Sequence, residues 1–209
     1  IFGSCYKASD GFYLIFAIAL VLIVTANHVI FFLAAWELMT LSTYFLIVFH
    51  DQKESVRRAG LLYLVMAHCG TFCLFIMFFL MAHFAGSMSF DVMAKAGFPP
   101  ALAGIIFLLA MIGFGVKAGF LPLHIWLPHA HPASPSHVSA LLSGIGIKMG
   151  IYGICRILWI VKDFPAWCGY LLLLIGVISG VMGVLYALGQ HEIKKLLAYH
   201  SIENIGIIT

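Results

Sequence analysis

Long apolar runs alternate with short polar segments along this chain, and most of the runs have the length of a membrane-spanning helix. A helix needs about 20 mainly apolar residues to cross the hydrocarbon core of a bilayer. The uninterrupted runs cover residues 12–26, 28–49, 59–83, 137–161 and 167–188. A further run begins near Ile193 and continues to the end of the sequence. This pattern predicts an all-α, polytopic membrane protein with about seven transmembrane segments.

One apolar segment is too long for a single span and contains proline. It covers residues 101–131 and is interrupted by Pro122 and Pro128. Proline removes a backbone donor and clashes with the carbonyl four residues earlier, so it breaks a helix. Broken backbone persists in a membrane only where protein buries it or where it lines a water-filled cavity. We therefore predict one broken helix over residues 101–131, preceded by a loop with a short turn over residues 84–100.

The composition excludes a soluble domain and argues against nucleic-acid binding. Hydrophobic residues make up 63% of the 209 residues, and charged residues make up only 9%. A soluble domain carries about a quarter charged residues, so this chain must use the lipid bilayer as its solvent. The net charge of +3 comes without a basic run that could follow a phosphate backbone.

The sequence lacks the common catalytic and cofactor motifs. Its five cysteines form no CxxC pair, so the spacing typical of zinc or iron–sulfur ligands does not occur. A P-loop and a GxGxxG fingerprint are also missing. We therefore expect no metal or cofactor in this chain, and no catalytic centre of its own.

Three ionisable side chains fall near the middle of apolar segments, where the bilayer penalises charge. They are Glu37, Lys117 and Lys148. Each costs roughly 2.5–3.5 kcal/mol on insertion scales before any pairing. A structural ion pair that fixes helix packing is one interpretation, but one carboxylate cannot neutralise two lysines. Protonatable groups at a common depth instead predict a proton relay, in which each group's charge shifts the titration of its neighbours.

Histidines and one further carboxylate extend the set of candidate relay residues. His68 lies inside the third run, and His124 follows Lys117 by seven positions. His137 precedes Lys148 by eleven positions, which is three turns along one face of a regular helix. His200 and Glu203 are three residues apart and share a face of the last helix. A hydrogen-bonded structural histidine remains an equal alternative for each of these single histidines.

Four segments resemble the antiporter-like subunits of respiratory complex I. Residues 35–44 (AWELMTLSTY) resemble the helix that carries a glutamate in that family. Residues 115–128 (GVKAGFLPLHIWLP) resemble its broken helix, with lysine and proline at the same spacing. Residues 135–153 (PSHVSALLSGIGIKMGIYG) and 192–204 (EIKKLLAYHSIEN) resemble the helix with a second lysine and the start of a second repeat.

The resemblance implies a fold and roles for the charged residues. Its members consist of two inverted five-helix repeats, each with one broken helix. Residues 1–163 would form the first repeat, and residues 164–209 the start of a second repeat that this sequence does not complete. Glu37 would pair with Lys117 and set its protonation, and Lys148 would pass the proton along a central polar axis.

The resemblance also implies partners and a location. Residues 131–137 (HPASPSH) and 199–206 (YHSIENIG) are most similar to the membrane subunits of hydrogenase-4 and formate hydrogenlyase complexes. The expectation is a proton-translocating, multi-pass subunit of a prokaryotic inner membrane. It would assemble with other membrane subunits and a peripheral hydrogenase-like arm that carries iron–sulfur centres. A subunit of an NADH–quinone oxidoreductase, or of a multisubunit Na⁺/H⁺ antiporter, remains an alternative.

Overall fold

The computed structural model describes residues 2–209, with side chains from Asp10 onward except that of His50. The side chain of Cys5 therefore lies outside the described part. The described residues form helices joined by loops, with two short irregular turns: a 3₁₀ turn over Val48–His50 and a π-helical turn over Leu142–Gly146. The helices are α1 (Phe2–Thr25), α2 (Val29–Ile47), α3 (Glu54–Ala85), α4 (Phe90–Met93), α5 (Pro100–Ala118), α6 (Leu127–Ala133), α7 (Ser136–Leu141), α8 (Lys148–Val161), α9 (Ala166–Leu188) and α10 (Ile193–Ile208).

The lengths of these helices confirm the all-helical membrane architecture. Within the described residues, five helical segments are long and apolar enough to cross a bilayer: α2, α3, α5, α9 and the composite of α7, the π turn and α8. From Asp10 onward α1 is a shorter apolar helix, and α10 begins with a charged turn. The short turn expected within residues 84–100 is present as α4.

Helix α5 lies at the centre of the bundle, and α9 lies at its edge. Helix α5 packs against both α3 and α8, while α1 packs on α2 and α9 packs on α10. Within the spanning windows, 67% of α5 is buried inside the protein but only 22% of α9. A charged residue on α5 therefore faces protein rather than lipid.

Glycines allow the central helices to approach closely. A β-carbon added to Gly113 of α5 would lie 3.0 Å from the carbonyl oxygen of Gly70 on α3. A β-carbon on Gly150 of α8 would lie 2.6 Å from the Phe114 carbonyl oxygen of α5. Small residues at membrane-helix contacts let two backbones meet, which is why α3 and α8 can place side chains directly around α5.

The broken helix is present, but the two prolines play different parts in it. Helix α5 ends at Gly119, whose φ of 80° is in the left-handed region that favours glycine. Residues 119–126 form the break, and Pro122 lies inside it after a cis peptide bond. Pro128 does not interrupt a helix, because it occupies the first turn of α6, where the missing N–H is not needed.

Two side chains satisfy the backbone groups that this break exposes. The indole Nε1 of Trp126 donates a hydrogen bond of 2.7 Å to the carbonyl of Val116. The N–H of Leu121 donates to Ser179 Oγ on α9 at 3.1 Å. Trp126 and Phe120 are 1% exposed. Both ends of the break are therefore buried inside the protein, while Pro122 and Ile125 in its middle are exposed on the surface of this chain.

Arg156 of α8 fixes the C-terminal end of α1. Its guanidinium donates to the carbonyls of Ile23 and Ala26 and to the hydroxyl of Tyr152. It also lies 4.6 Å from the centroid of the Phe90 ring. A cation on the free carbonyls of a helix C-terminus is favourable both as a hydrogen-bond donor and as a charge near the negative end of the helix dipole.

We expect Arg156→Gln to lower the stability of the folded protein by about 2 kcal/mol, because it removes charged hydrogen bonds to several carbonyls at once. Thermal unfolding of the detergent-solubilised protein measures this effect. Arg58→Gln is the matched control, since Arg58 forms only an exposed pair with Glu54, which is worth about 0.5 kcal/mol. Equal unfolding temperatures for the two variants would contradict the assigned role of Arg156.

Candidate functional site

Lys117 is buried at the end of α5, where the helix stops. Its side chain is 3% exposed, and its ammonium donates a hydrogen bond of 2.7 Å to the hydroxyl of Tyr63 on α3. Lys117 occupies the last turn of α5, so the negative end of the helix dipole stabilises its charge. The break after Ala118 therefore places a cation at a free helix end inside the bundle.

Tyr63 connects Lys117 to the helix that carries Glu37. The Tyr63 hydroxyl lies 3.4 Å from the carbonyl oxygen of Thr40 on α2, to which it can donate weakly. The Tyr63 ring packs edge-on against Trp126, with 5.0 Å between centroids. Because Trp126 is itself bonded to the carbonyl before Lys117, the tyrosine, the tryptophan and the lysine are held as one unit.

Glu37 does not pair directly with Lys117, contrary to what the resemblance implied. Its Oε2 lies 3.4 Å from Nε2 of His68 on α3. Its Oε1 is buried and has no hydrogen-bond partner among the described residues. Both Glu37 and Lys117 are described, and their charged atoms are more than 4 Å apart. The carboxylate faces His68 on α3 instead, and the hydroxyl of Tyr63 is the hydrogen-bond partner of the lysine.

Lys148 also lies where a regular helix is interrupted. It begins α8, directly after the π-helical turn Leu142–Gly146. Its ammonium donates to the carbonyl of Ser143, which belongs to that turn. A π turn widens the helix and leaves carbonyls available to other donors, and such turns occur frequently at functional sites. Lys117 thus lies at a helix break and is held by Tyr63 of α3, whereas half-buried Lys148 is held by a carbonyl of the π turn.

A polar cavity of about 590 Å³ opens beside Lys148. It separates α7, the π turn and the start of α8 from α10. Its ionisable lining consists of Lys148, His131, Lys194 and His200, together with several hydroxyl groups and the amide of Asn204. A cavity of this volume, with these polar groups along its wall, has room for water molecules that would bridge side chains too distant for direct contact.

His200 and Glu203 form the pair that their spacing predicts. His200 Nδ1 and Glu203 Oε2 lie 2.6 Å apart on α10. His200 lines the polar cavity together with Lys148. The backbone of Glu203 packs against Gly183 of α9, so this pair lies between the cavity and the α9–α10 contact.

His137 is not on the same side as Lys148, and this expectation was wrong. Its ring faces Tyr13 of α1 at 6.4 Å between centroids, while Lys148 faces the cavity beside α10. The expectation assumed a regular helix between the two residues. The π turn adds one residue to a turn of that helix, and this rotates the residues before it away from those after it.

His124 lies in the break rather than on a helix face. It is half-buried, and its Nδ1 has no hydrogen-bond partner within the described part of the chain. His68 is half-exposed, and its Nδ1 lies 2.9 Å from the carbonyl of Leu64 while its Nε2 faces Glu37. His68 is therefore brought to Glu37, whereas the described structure gives His124 no hydrogen bond to another candidate residue.

Sequence reasoning misses three residues that the structure adds to the site. Tyr63 looks like any other aromatic residue of an apolar helix. His131 is 3% exposed, and its Nδ1 lies 2.7 Å from Ser139 Oγ at the cavity wall. Lys194 donates to the carbonyl of Ser134 rather than projecting into solvent from the start of α10. The only sequence signal for the last two is the Pro132–Pro135 turn, which brings the start of α7 back towards α6.

The described side chains bear on two kinds of chemistry, metal binding and proton transfer. Among them, no group of three or more histidine, cysteine, aspartate or glutamate residues converges in a way that could hold a metal ion. The chemistry that the arrangement can support is the binding and release of protons by Glu37, the two lysines and the histidines near them.

Comparison with known proteins places the chain among membrane subunits of several ion-translocating and respiratory complexes. It is 44% identical over 205 residues to hydrogenase-4 component B of Escherichia coli, covering 96% of this chain and 30% of that protein. It is 36% identical over 190 residues to formate hydrogenlyase subunit 3 of the same organism, covering 91% of this chain and 30% of that protein. The chain thus spans about a third of the length of these relatives.

Solved structures show the same fold. A chain of the Mrp complex from Dietzia superposes with a TM-score of 0.87 at 28% identity, covering 95% of this chain and 22% of that one. A chain of respiratory complex I from Thermus thermophilus superposes with a TM-score of 0.78 at 26% identity, covering 93% of this chain and 42% of that one. Residues 26–209 match the family described as NADH:quinone oxidoreductase/Mrp antiporter, TM. The chain therefore belongs to this family, the antiporter-like membrane subunits of complex I-related assemblies.

Proposed function

We propose that this chain conducts protons through the membrane by way of Glu37, Lys117 and Lys148. Glu37 and His68 form the first station, Lys117 with Tyr63 the second, and Lys148 with its polar cavity the third. The His200–Glu203 pair continues the path on α10. Each station is a group that can bind or release a proton, and the polar cavity joins the third station to the last.

The burial of Lys117 carries this proposal. A cation that is 3% exposed and bonded to a neutral hydroxyl is expensive in a membrane unless its charge serves a purpose. The structural alternative, an ion pair that fixes helix packing, is less well supported, because Glu37 and Lys117 form no direct ion pair within 4 Å. Since α5 packs directly on α8, the two lysines lie on neighbouring helices, as stations of one path must.

The structure supports some of the candidate histidines as members of the proton path better than others. His68 contacts Glu37, and His200 shares the cavity with Lys148, so both fit the relay. His124, with its unpartnered ring nitrogen, is a candidate second acceptor close to the break. His137 faces α1 and is not assigned a place in the path.

We further propose that the chain consists of one inverted repeat over residues 1–163 and the beginning of a second over residues 164–209. Two observations support this division. The break between α5 and α6 lies in the first part, as expected for one repeat of this architecture. Helices α9 and α10 pack mainly on each other, which is consistent with their belonging to a separate unit.

The partner that drives proton movement is proposed to be a hydrogenase-like arm. The similarity to hydrogenase-4 component B and formate hydrogenlyase subunit 3 supports a nickel–iron hydrogenase with iron–sulfur centres outside the membrane. The assembly would lie in the inner membrane of a prokaryotic cell. Electron transfer would take place in the other subunits and bias Glu37 and Lys117 electrostatically or by a conformational change.

Purification of the native complex through this subunit tests the proposed partner. We expect nickel, iron–sulfur centres and hydrogen evolution to copurify with it. Flavin and quinone reductase activity without nickel would contradict the hydrogenase assignment and favour an NADH–quinone oxidoreductase. The likeness to a chain of the Mrp complex keeps a Na⁺/H⁺ antiporter as the second candidate. Sodium-dependent transport without any redox partner would establish that candidate instead.

A further inference from the structure

Tyr63 lies between the helices that carry Glu37 and Lys117, and the family resemblance gave this tyrosine no role. Polar groups of four residues form a cluster where α2, α3 and α5 come together: the carboxylate of Glu37, the side chain and carbonyl of Thr40, the hydroxyl of Tyr63 and the ammonium of Lys117. Thr40, Tyr63 and Lys117 are buried, and Glu37 is partly exposed. Glu37 Oε1 and Thr40 Oγ1 have no hydrogen-bond partner among the described residues. Thr40 lies one helical turn after Glu37, so both face the same side of α2.

Tyr63 is the group of this cluster that contacts both neighbouring helices. Its hydroxyl accepts from Lys117 on α5 at 2.7 Å and faces the Thr40 carbonyl on α2 at 3.4 Å. Tyr63 is 1% exposed, so water outside the bundle does not compete for its hydroxyl.

A phenol hydroxyl has one proton to donate and lone pairs that accept. When Lys117 is charged, its ammonium can only donate, so the hydroxyl must accept from it and direct its own proton to the Thr40 carbonyl. When Lys117 is neutral, its amine gains a lone pair, and the hydroxyl can turn its proton towards that amine. The direction of a single O–H bond therefore differs between the two charge states of the lysine.

We propose that Tyr63 is a positioning residue that stabilises the protonated state of Lys117 and couples it to α2 one turn from Glu37. This inference rests on the proton path proposed above and adds a regulator to it. With the hydroxyl in place, Lys117 holds its proton without contacting Glu37. A rearrangement of α2 that moves Thr40 or Glu37 changes the partners of the hydroxyl and thereby the ease with which Lys117 releases its proton.

The titratable and charged groups around Lys117 come from several neighbouring elements. Helix α2 contributes Glu37, and α3 contributes Tyr63 and, beside Glu37, His68. The break contributes His124, and α8 contributes Lys148 at its start, while Arg156 points to the end of α1. Among the described residues only Tyr63 is within hydrogen-bond distance of the Lys117 ammonium.

Tyr63→Phe in the full-length subunit of the assembled complex tests the inference, because it keeps the ring that packs on Trp126 and removes only the hydroxyl. Redox-driven proton uptake is measured in proteoliposomes across a pH series. Without an acceptor, the charged form of Lys117 is less populated at a given pH. The pH above which uptake fails should therefore move lower by about one unit, the expected effect of losing one hydrogen bond to a charged group.

Tyr44→Phe is the matched control, since it removes a tyrosine hydroxyl from α2 without deleting a contact to Lys117. A pH profile of Tyr63→Phe that coincides with that of the control would overturn the inference, and so would a uniform loss of uptake at every pH, which indicates a structural role. Lys117→Ala is measured in the same series. If it leaves uptake intact, the proton path itself fails; if it stops uptake while Tyr63→Phe behaves as the control, only the role of Tyr63 fails.

Discussion

Replacing Lys117 with alanine is expected to reduce redox-driven proton uptake by about a hundredfold, the usual effect of removing a positioned proton-transfer group. Lys117 is the most deeply buried cation of the described bundle, and its removal interrupts the path between Glu37 and Lys148. Redox turnover by the partner subunits should remain measurable, because electron transfer is proposed to take place in those subunits. Both quantities are measured in the same proteoliposomes of the assembled complex.

Lys95→Ala is the control for this variant, since Lys95 is an exposed lysine in the loop after α4. It removes one positive charge from the chain without touching the buried groups. We expect its uptake and turnover to equal those of the unaltered complex. Unimpaired uptake by the Lys117→Ala complex would refute the proposal that protons pass through this residue.

Gly150→Ala is expected to destabilise the bundle by about 3 kcal/mol, at the upper end of the usual cost of overpacking. An added β-carbon would lie 2.6 Å from the backbone nitrogen of Ala118 and from the Phe114 carbonyl oxygen. Both atoms belong to the backbone of α5, so no flexible side chain can move aside. Helix α8 would have to shift, which also separates Lys148 from the helix that carries Lys117.

The stability of this variant is measured by thermal unfolding in detergent and by the amount of intact complex recovered from the membrane. Gly169→Ala on α9 is the matched control, because no heavy atom lies within 4 Å of a β-carbon at that position. There, the replacement should be neutral or slightly stabilising, since alanine favours a helix more than glycine does. Loss of stability in the control but not in Gly150→Ala would contradict the packing described for α5 and α8.

Apolar run length and proline position were enough to predict the helical membrane architecture and the broken helix. Both signals are local, because a span needs a fixed number of apolar residues and proline disfavours the interior of a helix. The role of Pro128 was not predictable in this way. A proline in the first turn of a new helix and a proline that ends an old one look the same in a sequence until the helix ends are known.

Predictions that two residues lie on the same face of a helix were less reliable when many residues separate them. His137 and Lys148 were expected on one face because a regular helix repeats after eleven residues. The π turn at Leu142–Gly146 changes that register, and its sequence carries no signal that distinguishes it from ordinary helix. His200 and Glu203 were predicted correctly because only three residues of regular helix separate them.

Side-chain contacts between helices that are far apart in the sequence could not be predicted. Glu37 and Lys117 were both recognisable as intramembrane charges, yet their actual partners are His68 and Tyr63. Which side chain reaches a buried cation depends on how closely two helices approach, and Gly70 and Gly113 determine this distance for α3 and α5. The polar cavity beside Lys148 likewise arises from the packing of α10 against distant segments.

The most direct test of the proton path is the number of protons moved per redox turnover by a Glu37→Gln complex in sodium-free medium. This substitution keeps the shape of the side chain and removes its charge and its ability to carry a proton. The account predicts that redox turnover continues while the ratio falls well below that of the unaltered complex, with Glu54→Gln at an exposed position as the unaffected control. An unchanged ratio in the Glu37→Gln complex would contradict the assignment of Glu37 to the proton path.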